Sequence, residues 1–378
     1  ASVVNELKIG SNFKMAVLTR YDLTISALSS SQSFRGGRCS TWPTQRRRIQ
    51  LQAGRGPVAS AGTVSETPPA ASMPQKAQPA PFKIPKSLSE VDNGKILGFG
   101  AELAEGHPGF ADEAYKQRRV DICKIASKHE IGAPIPAIEY TAEETAVWSY
   151  VMNELAELFP AHACSEFLAS WRELGFSPRR VPQLQEVSEF LQARSGWQIR
   201  PVAGLLHPRD FLNGLAFRTF HSTQYMRHGA DPCWTPEPDI VHEMIGHVPM
   251  LAHPAFCQLA HAIGVASLGA DEAQIWHLTK CYWYTVEFGV VREGGGVKAF
   301  GAGVLSSYGE MKNMASGRAG LREFDPFQKQ PKMSYSDGYQ KTYTVLDSFE
   351  DGAAKLEAYC KTLHVPLSDE VRQAVGLA

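Results

Sequence analysis

Net charge is nearly absent from this chain of 378 residues: 38 Lys and Arg stand against 39 Asp and Glu, a formal balance of −1. Without a basic excess it has no electrostatic grip on nucleic acid or on an acidic membrane surface. No run of 18 apolar residues occurs, so no stretch reads as spanning a bilayer. Cysteine is sparse and scattered. Cys39, Cys123, Cys164, Cys233, Cys257, Cys281 and Cys360 form no C-x-x-C pair. That odd, dispersed set reads as small core residues in a reducing compartment, not as a disulfide framework. Residues 1–90 also lack helix or strand periodicity.

Within that unpatterned segment the composition is uneven. From Met15, a plausible native start, to Ser65, the arginines Arg20, Arg35, Arg38, Arg46, Arg47, Arg48 and Arg55 face a single acid, Asp22. Arg-rich, Ser-rich and acid-poor is the signature of an organelle transit peptide, and the Ser/Thr content favours plastid over mitochondrion. The run Arg46-Arg47-Arg48 alone also reads as a nucleic-acid arm. Residues 66–90 are Pro/Ala-rich, cannot build a core, and read as a linker. The expected organisation is a transit-peptide-like segment over 1–65, processed within Gln50–Ala61, the linker, and one large domain over 91–378.

The chemistry concentrates in Trp234-Thr-Pro-Glu-Pro-Asp-Ile-Val-His-Glu-Met-Ile-Gly-His-Val-Pro249. Neutral imidazole suits borderline divalent metals, and His242 and His247 lie close in sequence. Zinc peptidases use H-E-x-x-H, which stacks both rings on one helix face. Here the spacing is one residue longer, which turns the second ring by roughly 140° on a regular helix. Both rings reach one ion only if the helix widens or ends between them. Gly246 loosens the backbone there, and Pro249 clashes with the carbonyl of Ile245, so a π-bulge or an early helix end is expected. A third donor is available 40 residues on (287 − 247), where Glu287 sits in the aromatic run Cys281-Tyr-Trp-Tyr-Thr-Val-Glu-Phe-Gly289. A carboxylate in such a run is costly to bury unless paired or metal-bound. Two His and one carboxylate with open positions form the facial triad of non-haem Fe(II) oxygenases.

With these residues in view, about Gly98 to about Leu363 resembles the catalytic domain of the tetrahydropterin-dependent aromatic amino acid hydroxylases. The resemblance runs collinearly through Gly100-Ala-Glu-Leu103, His107-Pro-Gly-Phe110, Arg200-Pro-Val-Ala-Gly-Leu-Leu206, Arg209-Asp-Phe211, Phe220-His221, Thr223-Gln-Tyr225, Arg227-His-Gly229, the metal stretch and Gly301-Ala-Gly303 with Ser306-Ser307. It implies Fe(II) on His242, His247 and Glu287, and a two-electron donor, a tetrahydropterin or a reduced folate. O₂ then gives one oxygen to an aromatic ring and the other to the donor. By the same resemblance Gly204 and Leu206 give backbone contacts to the donor, Phe211 stacks on it, His221 and Tyr282 line its slot, and Glu243 accepts hydrogen bonds from it or from water. Glu243 and Glu287 are the implied catalytic carboxylates. His207-Pro208 stands where the family has small hydroxyl residues, which favours a folate-type donor.

For the substrate, Arg227 is the expected carboxylate clamp, because guanidinium matches carboxylate in a fork. Thr235 and Ser306 are expected to add hydroxyl bonds, Gly303 to let backbone approach, and Trp283 to wall the ring pocket. Tryptophan hydroxylases hold a smaller Phe at the place of Trp283, and tyrosine hydroxylases an Asp at that of Ser336. L-Phenylalanine with O₂ is therefore the implied substrate pair. Tryptophan hydroxylation is the alternative, and a zinc hydrolase with Glu243 as base is a third reading. Glu310 reads either as a partner orienting a metal ligand or as a surface acid. Animal members carry a regulatory domain ahead of the catalytic one, which residues 1–90 are not expected to form. The short C-terminal stretch after Leu356–Thr362 points to a monomer or dimer in preference to a tetramer.

The expected fold is mainly α with small β pieces, the aromatic amino acid hydroxylase catalytic-domain fold. Helical periodicity covers Asp112–Ser127, Thr141 to about Leu158 with a capping box to Glu144, Ala161–Leu174, Leu184–Arg194 and Ala255–Ala266. Strand signals are confined to Trp197–Ile199, Val297–Phe300 and Tyr343–Leu346.

Overall fold

Local capping chemistry sets where the helices begin. Thr141 accepts a hydrogen bond from the Glu144 amide while Glu144 accepts one from the Thr141 amide at 2.8 Å, and the helix Ala142–Ala156 follows. Asp112 caps Glu113–Ser127 by accepting from the Tyr115 amide at 3.0 Å. The computed structural model describes residues 83–98, 102–333, 338–363 and 365–377. The Arg-rich segment 1–65, the linker up to Phe82, Gly100 with Ala101, and Ser336 lie outside the described residues.

The architecture is mainly helical. Leu184–Ser195 and Pro254–Ser267 form close to where periodicity placed them. The stretch read as one helix over Ala161–Leu174 is two, Phe159–His162 and Ser165–Leu174. The break has a tertiary cause: Ala163 bridges Ala299, and the Cys164 amide donates to the Ala299 carbonyl. The last long helix starts earlier than its periodicity suggested, at Phe349, where Ser348 caps it, and runs to Thr362.

Pro254–Ser267 is apolar nearly all round, which marks a helix meant for the interior. It is buried between Phe349–Thr362 and Pro208–Ala216. A smaller cluster packs the C-terminal helix Asp369–Ala374, through Val371 and Val375, onto Ala216, Val265 and Leu268.

The described residues form three small sheets. Ile96–Gly98 pairs antiparallel with Leu205–Leu206, and Gln198–Pro201 pairs parallel with Thr219–Ser222, setting Arg200 beside His221. A four-stranded sheet runs in the order Gly296–Ala299, Gly289–Glu293, Thr342–Leu346, Gly320–Glu323. Its first two strands form a hairpin turning at Gly294-Gly295, both with positive φ. Among the described residues no helix is long and apolar enough to cross a membrane.

Candidate active site

Both segments that carry the metal candidates are π-helices, His242–His247 and Trp283–Glu287. The Val248 amide donates to the Glu243 carbonyl, and the Phe288 amide donates to the Trp283 carbonyl at 3.0 Å, each across five residues. This wider turn solves the spacing problem posed by H-E-x-x-x-H, bringing residues five apart onto one face. The sharp stop at Glu287 comes from the sheet, since strand Gly289–Glu293 begins two residues later.

A short helix, Ala302–Leu305, is wedged between the two π-helices. The close approach requires glycine on the metal helix. A Cβ on Gly246 would lie 2.7 Å from the Ala302 carbonyl oxygen. Gly303, expected to admit substrate, is needed for packing: a Cβ there would lie 2.6 Å from the Phe288 ring and 3.1 Å from the Glu287 carbonyl oxygen.

The three predicted ligands converge. The His242 and His247 Nε2 atoms are 3.1 Å apart, Glu287 Oε2 is 3.4 Å from His242 Nε2, and Glu287 Oε1 is 3.1 Å from His247 Nε2. Donors about 2.1 Å from one ion are separated by about 3.0 Å in octahedral and about 3.4 Å in tetrahedral geometry, so the set fits a first-row divalent metal. Burial would raise the Glu287 pKa, but the two imidazoles outweigh it and hold the carboxylate well below its usual range. Burial lowers the pKa of His247, whereas Glu287 overcomes burial at His242 and raises it.

A competing carboxylate, Glu243, also lies within 4.8 Å of the two ring nitrogens. Burial pushes its pKa up to about 7, and one of its oxygens accepts from the Thr223 amide at 3.1 Å and the Thr223 hydroxyl at 3.2 Å. Glu287 is thus the ionised donor between the imidazoles, and Glu243 is a neighbour able to hold a proton at neutral pH.

The tautomer of His242 is fixed. Ser306 Oγ donates to the Ala302 carbonyl at 2.7 Å and so accepts from His242 Nδ1 at 2.8 Å. The proton sits on Nδ1 and the Nε2 lone pair points to the ion site. Ser306, expected on the substrate, is bonded to His242, one of the three converging side chains. Glu310 touches none of the three ligands. Its carboxylate accepts from the Tyr343 hydroxyl, Asn313 Nδ2 and the Gln340 amide, so the structure places it in a separate buried network.

An aromatic box adjoins the metal candidates. Phe211 meets Tyr282 edge-on at 5.1 Å and His221 at 6.4 Å, while Tyr282 lies 6.4 Å from the His247 ring, nearly parallel. Both His221 nitrogens are buried without hydrogen-bond partners. Orphaned polar atoms in an aromatic slot suit a flat heteroaromatic ring bearing donors and acceptors. Gly204 and Leu206 lie on the loop that holds strand Leu205–Leu206, just ahead of the helix Pro208–Ala216 that carries Phe211. His207 caps the helix Pro208–Ala216, its Nδ1 accepting from the Arg209 amide at 3.2 Å, so the imidazole takes over a job suited to a small hydroxyl.

Arg227 is buried in a fork with Asp239, Nη2 to Oδ1 at 2.8 Å and Nε to Oδ2 at 3.0 Å, and its Nη1 donates to the Pro232 carbonyl at 3.3 Å. Guanidinium has five N–H donors, so Nη1 and Nη2 each keep one for an incoming carboxylate. The Thr235 hydroxyl is buried and unpartnered, while Trp283 packs at 4.7 Å on Phe288. Sequence reasoning missed Asp239 and Glu237. Glu237 is fully buried between Arg119 and His107, whose Nε2 donates at 3.0 Å. Alternation of acids with prolines in Pro236-Glu-Pro-Asp239 was the available signal, since acids in a rigid turn are poor surface decoration but good fixed acceptors.

Fold and site together define the class, a non-haem metal oxygenase, and the chain belongs to the biopterin-dependent aromatic amino acid hydroxylase family, whose model matches residues 82–373. Among its relatives, the chloroplastic phenylalanine 4-monooxygenase of Physcomitrium patens is 60% identical over 288 residues, 75% of this chain and 73% of that one. The tryptophan 5-hydroxylase of Xenopus laevis is more distant, 45% identical over 289 residues, 75% of this chain and 60% of that one. A solved phenylalanine hydroxylase of Chromobacterium violaceum, with bound iron(III) and 7,8-dihydrobiopterin, superposes with a TM-score of 0.56 at 31% identity, covering 63% of this chain and 90% of that one.

Proposed function

We propose that this chain is a phenylalanine 4-monooxygenase, converting L-phenylalanine and O₂ to L-tyrosine. The observation that carries the reading is the convergence of His242, His247 and Glu287 to within 3.1–3.4 Å of one another beside an aromatic slot. When bound there, Fe(II) and a tetrahydropterin together supply the electrons that splitting O₂ requires.

The chain's own residues do the rest. His242, His247 and Glu287 hold the metal from one side and leave the opposite side to O₂ and substrate. Phe211 offers a ring face to the cofactor, Tyr282 and His221 line its slot, and Gly204 and Leu206 give it backbone contacts. Glu243, with its raised pKa, holds or releases a proton at its carboxyl oxygen next to the slot. Arg227 takes the substrate carboxylate on its remaining N–H pair, and Thr235 adds a hydroxyl. Trp283 narrows the ring pocket, which favours phenyl over indole.

The test is turnover by purified, iron-loaded full chain with phenylalanine, tyrosine and tryptophan, each with tetrahydropterin and with reduced folates. Tyrosine formed with stoichiometric O₂ uptake is the expected result, with indole hydroxylation at least tenfold slower. Peptide cleavage by the zinc form with no tyrosine from any donor would overturn the reading. Higher turnover with a reduced folate would assign the donor that His207-Pro208 favours. Residues 1–65 are read as a plastid-targeting segment, and a fluorescent fusion that stays in the cytosol would refute that.

A further inference from the structure

Asp239 joins two sites that are usually treated apart. Its side chain is wholly buried and accepts four hydrogen bonds. Oδ1 takes Arg227 Nη2 at 2.8 Å and the His242 amide at 3.0 Å, while Oδ2 takes the Arg227 amide at 2.8 Å and Nε at 3.0 Å. An ionised carboxylate offers about four lone-pair sites, so this one is saturated. The Asp239 carbonyl also accepts from the Glu243 amide at 2.9 Å, so the residue grips the first turn of the metal helix with main chain and side chain at once.

A saturated, buried acceptor cannot adjust one bond without disturbing the others. Movement of the guanidinium as it takes a carboxylate turns the Asp239 carboxylate, and that carboxylate carries the acceptor for the His242 amide. We propose that Asp239 is a positioning residue that couples the two sites, so that an amino-acid carboxylate on Arg227 and a metal on His242 each strengthen the binding of the other. The proposal rests on the reading of Arg227 as clamp and of His242 as ligand. Reciprocity follows from linkage: the factor by which one ligand tightens the other is the same in both directions.

The experiment measures the affinity of the full chain for Co(II), followed by its visible absorption, with and without L-phenylalanine, and the affinity for L-phenylalanine with and without Co(II). Expected is a tightening of roughly 5-fold or more in both directions. Phenethylamine, which lacks the carboxylate, is expected to leave Co(II) affinity within about twofold on the unaltered protein. Asp239→Asn, which keeps the size of the side chain but cannot take four donors, is expected to weaken the binding of each ligand singly, and the coupling between them is expected to fall to within about twofold. Equal coupling by phenethylamine, coupling retained in Asp239→Asn, or independent binding of both ligands to the unaltered protein would each overturn the proposal. Should Asp239→Asn fail to fold, the phenethylamine comparison decides alone. Failure of the unaltered protein to bind Co(II) or L-phenylalanine at all is a different result, which takes down the functional reading and the coupling with it.

Discussion

At the scale of single residues, the site is a set of protons held in place. Ser306 determines which His242 nitrogen faces the ion, so Ser306→Ala is expected to weaken metal affinity roughly 10- to 100-fold. Titration with metal checks this, and an unchanged affinity would mean the ring is oriented by packing alone. His221 stores a different kind of cost. Burial, reinforced by the nearby charge of Arg200, pushes its pKa down to about 3. The folded chain refuses a proton that the unfolded chain accepts below about pH 6.5, so this part of the stability is present above that value. It is lost as pH falls toward about 3, at about 1.4 kcal/mol per pH unit. His221→Phe is therefore expected to flatten the acid limb of the stability curve, measured by denaturant unfolding between pH 7 and pH 4. The convergence of His242, His247 and Glu287 was legible in the sequence, because a facial triad is a statement about residue types. The partners Asp239 and Glu237 were not, because what they bind comes from other segments, Arg227, His107 and Arg119.

At the scale of elements, one extra residue between two histidines pointed to a widened helix or an early helix end, of which the first is found, and the wedge that supports it was not foreseen. Ala302–Leu305 is four residues long and carries no periodicity to detect. Its effect on Gly246 gives a direct test. Gly246→Ala places a methyl 2.7 Å from the Ala302 oxygen, which forces the wedge and the metal helix apart. A loss of about 1–3 kcal/mol is expected, together with weaker metal binding, whereas helix propensity alone predicts a gain for Gly to Ala. Denaturant midpoints read the sign. Most long helices were readable from period and caps, as Thr141 with Glu144 illustrates. The strands Thr219–Ser222 and Gly289–Glu293 escaped because they are buried on both faces or run out of a helix, so no alternation marks them.

At the scale of the whole molecule, buried ions tie the segment after residue 102 to the core. Arg119 pairs with Glu237 and lies 3.8 Å from the centre of the Tyr225 ring, while His107 donates to the same carboxylate. Glu237→Gln leaves a buried guanidinium without its anion, and a loss of about 3–5 kcal/mol is expected. Chemical denaturation checks this. If the change costs less than about 1 kcal/mol, water has reached Arg119. Surface pairs such as Lys86 with Glu370 are worth far less, so the fold's ionic stability is concentrated beside the pocket.

The two widened helical turns are held by the short helix Ala302–Leu305 packed against both and by the Asp239 carboxylate at the start of the first. Donors held at one spacing admit any first-row divalent ion that accepts it. Occupancy then follows the general ranking of divalent ions, in which copper and nickel outrank ferrous iron. What fills the protein is therefore decided by the supply around it at the moment of folding. A preparation made with such competitors present would be sturdy, fully loaded and idle.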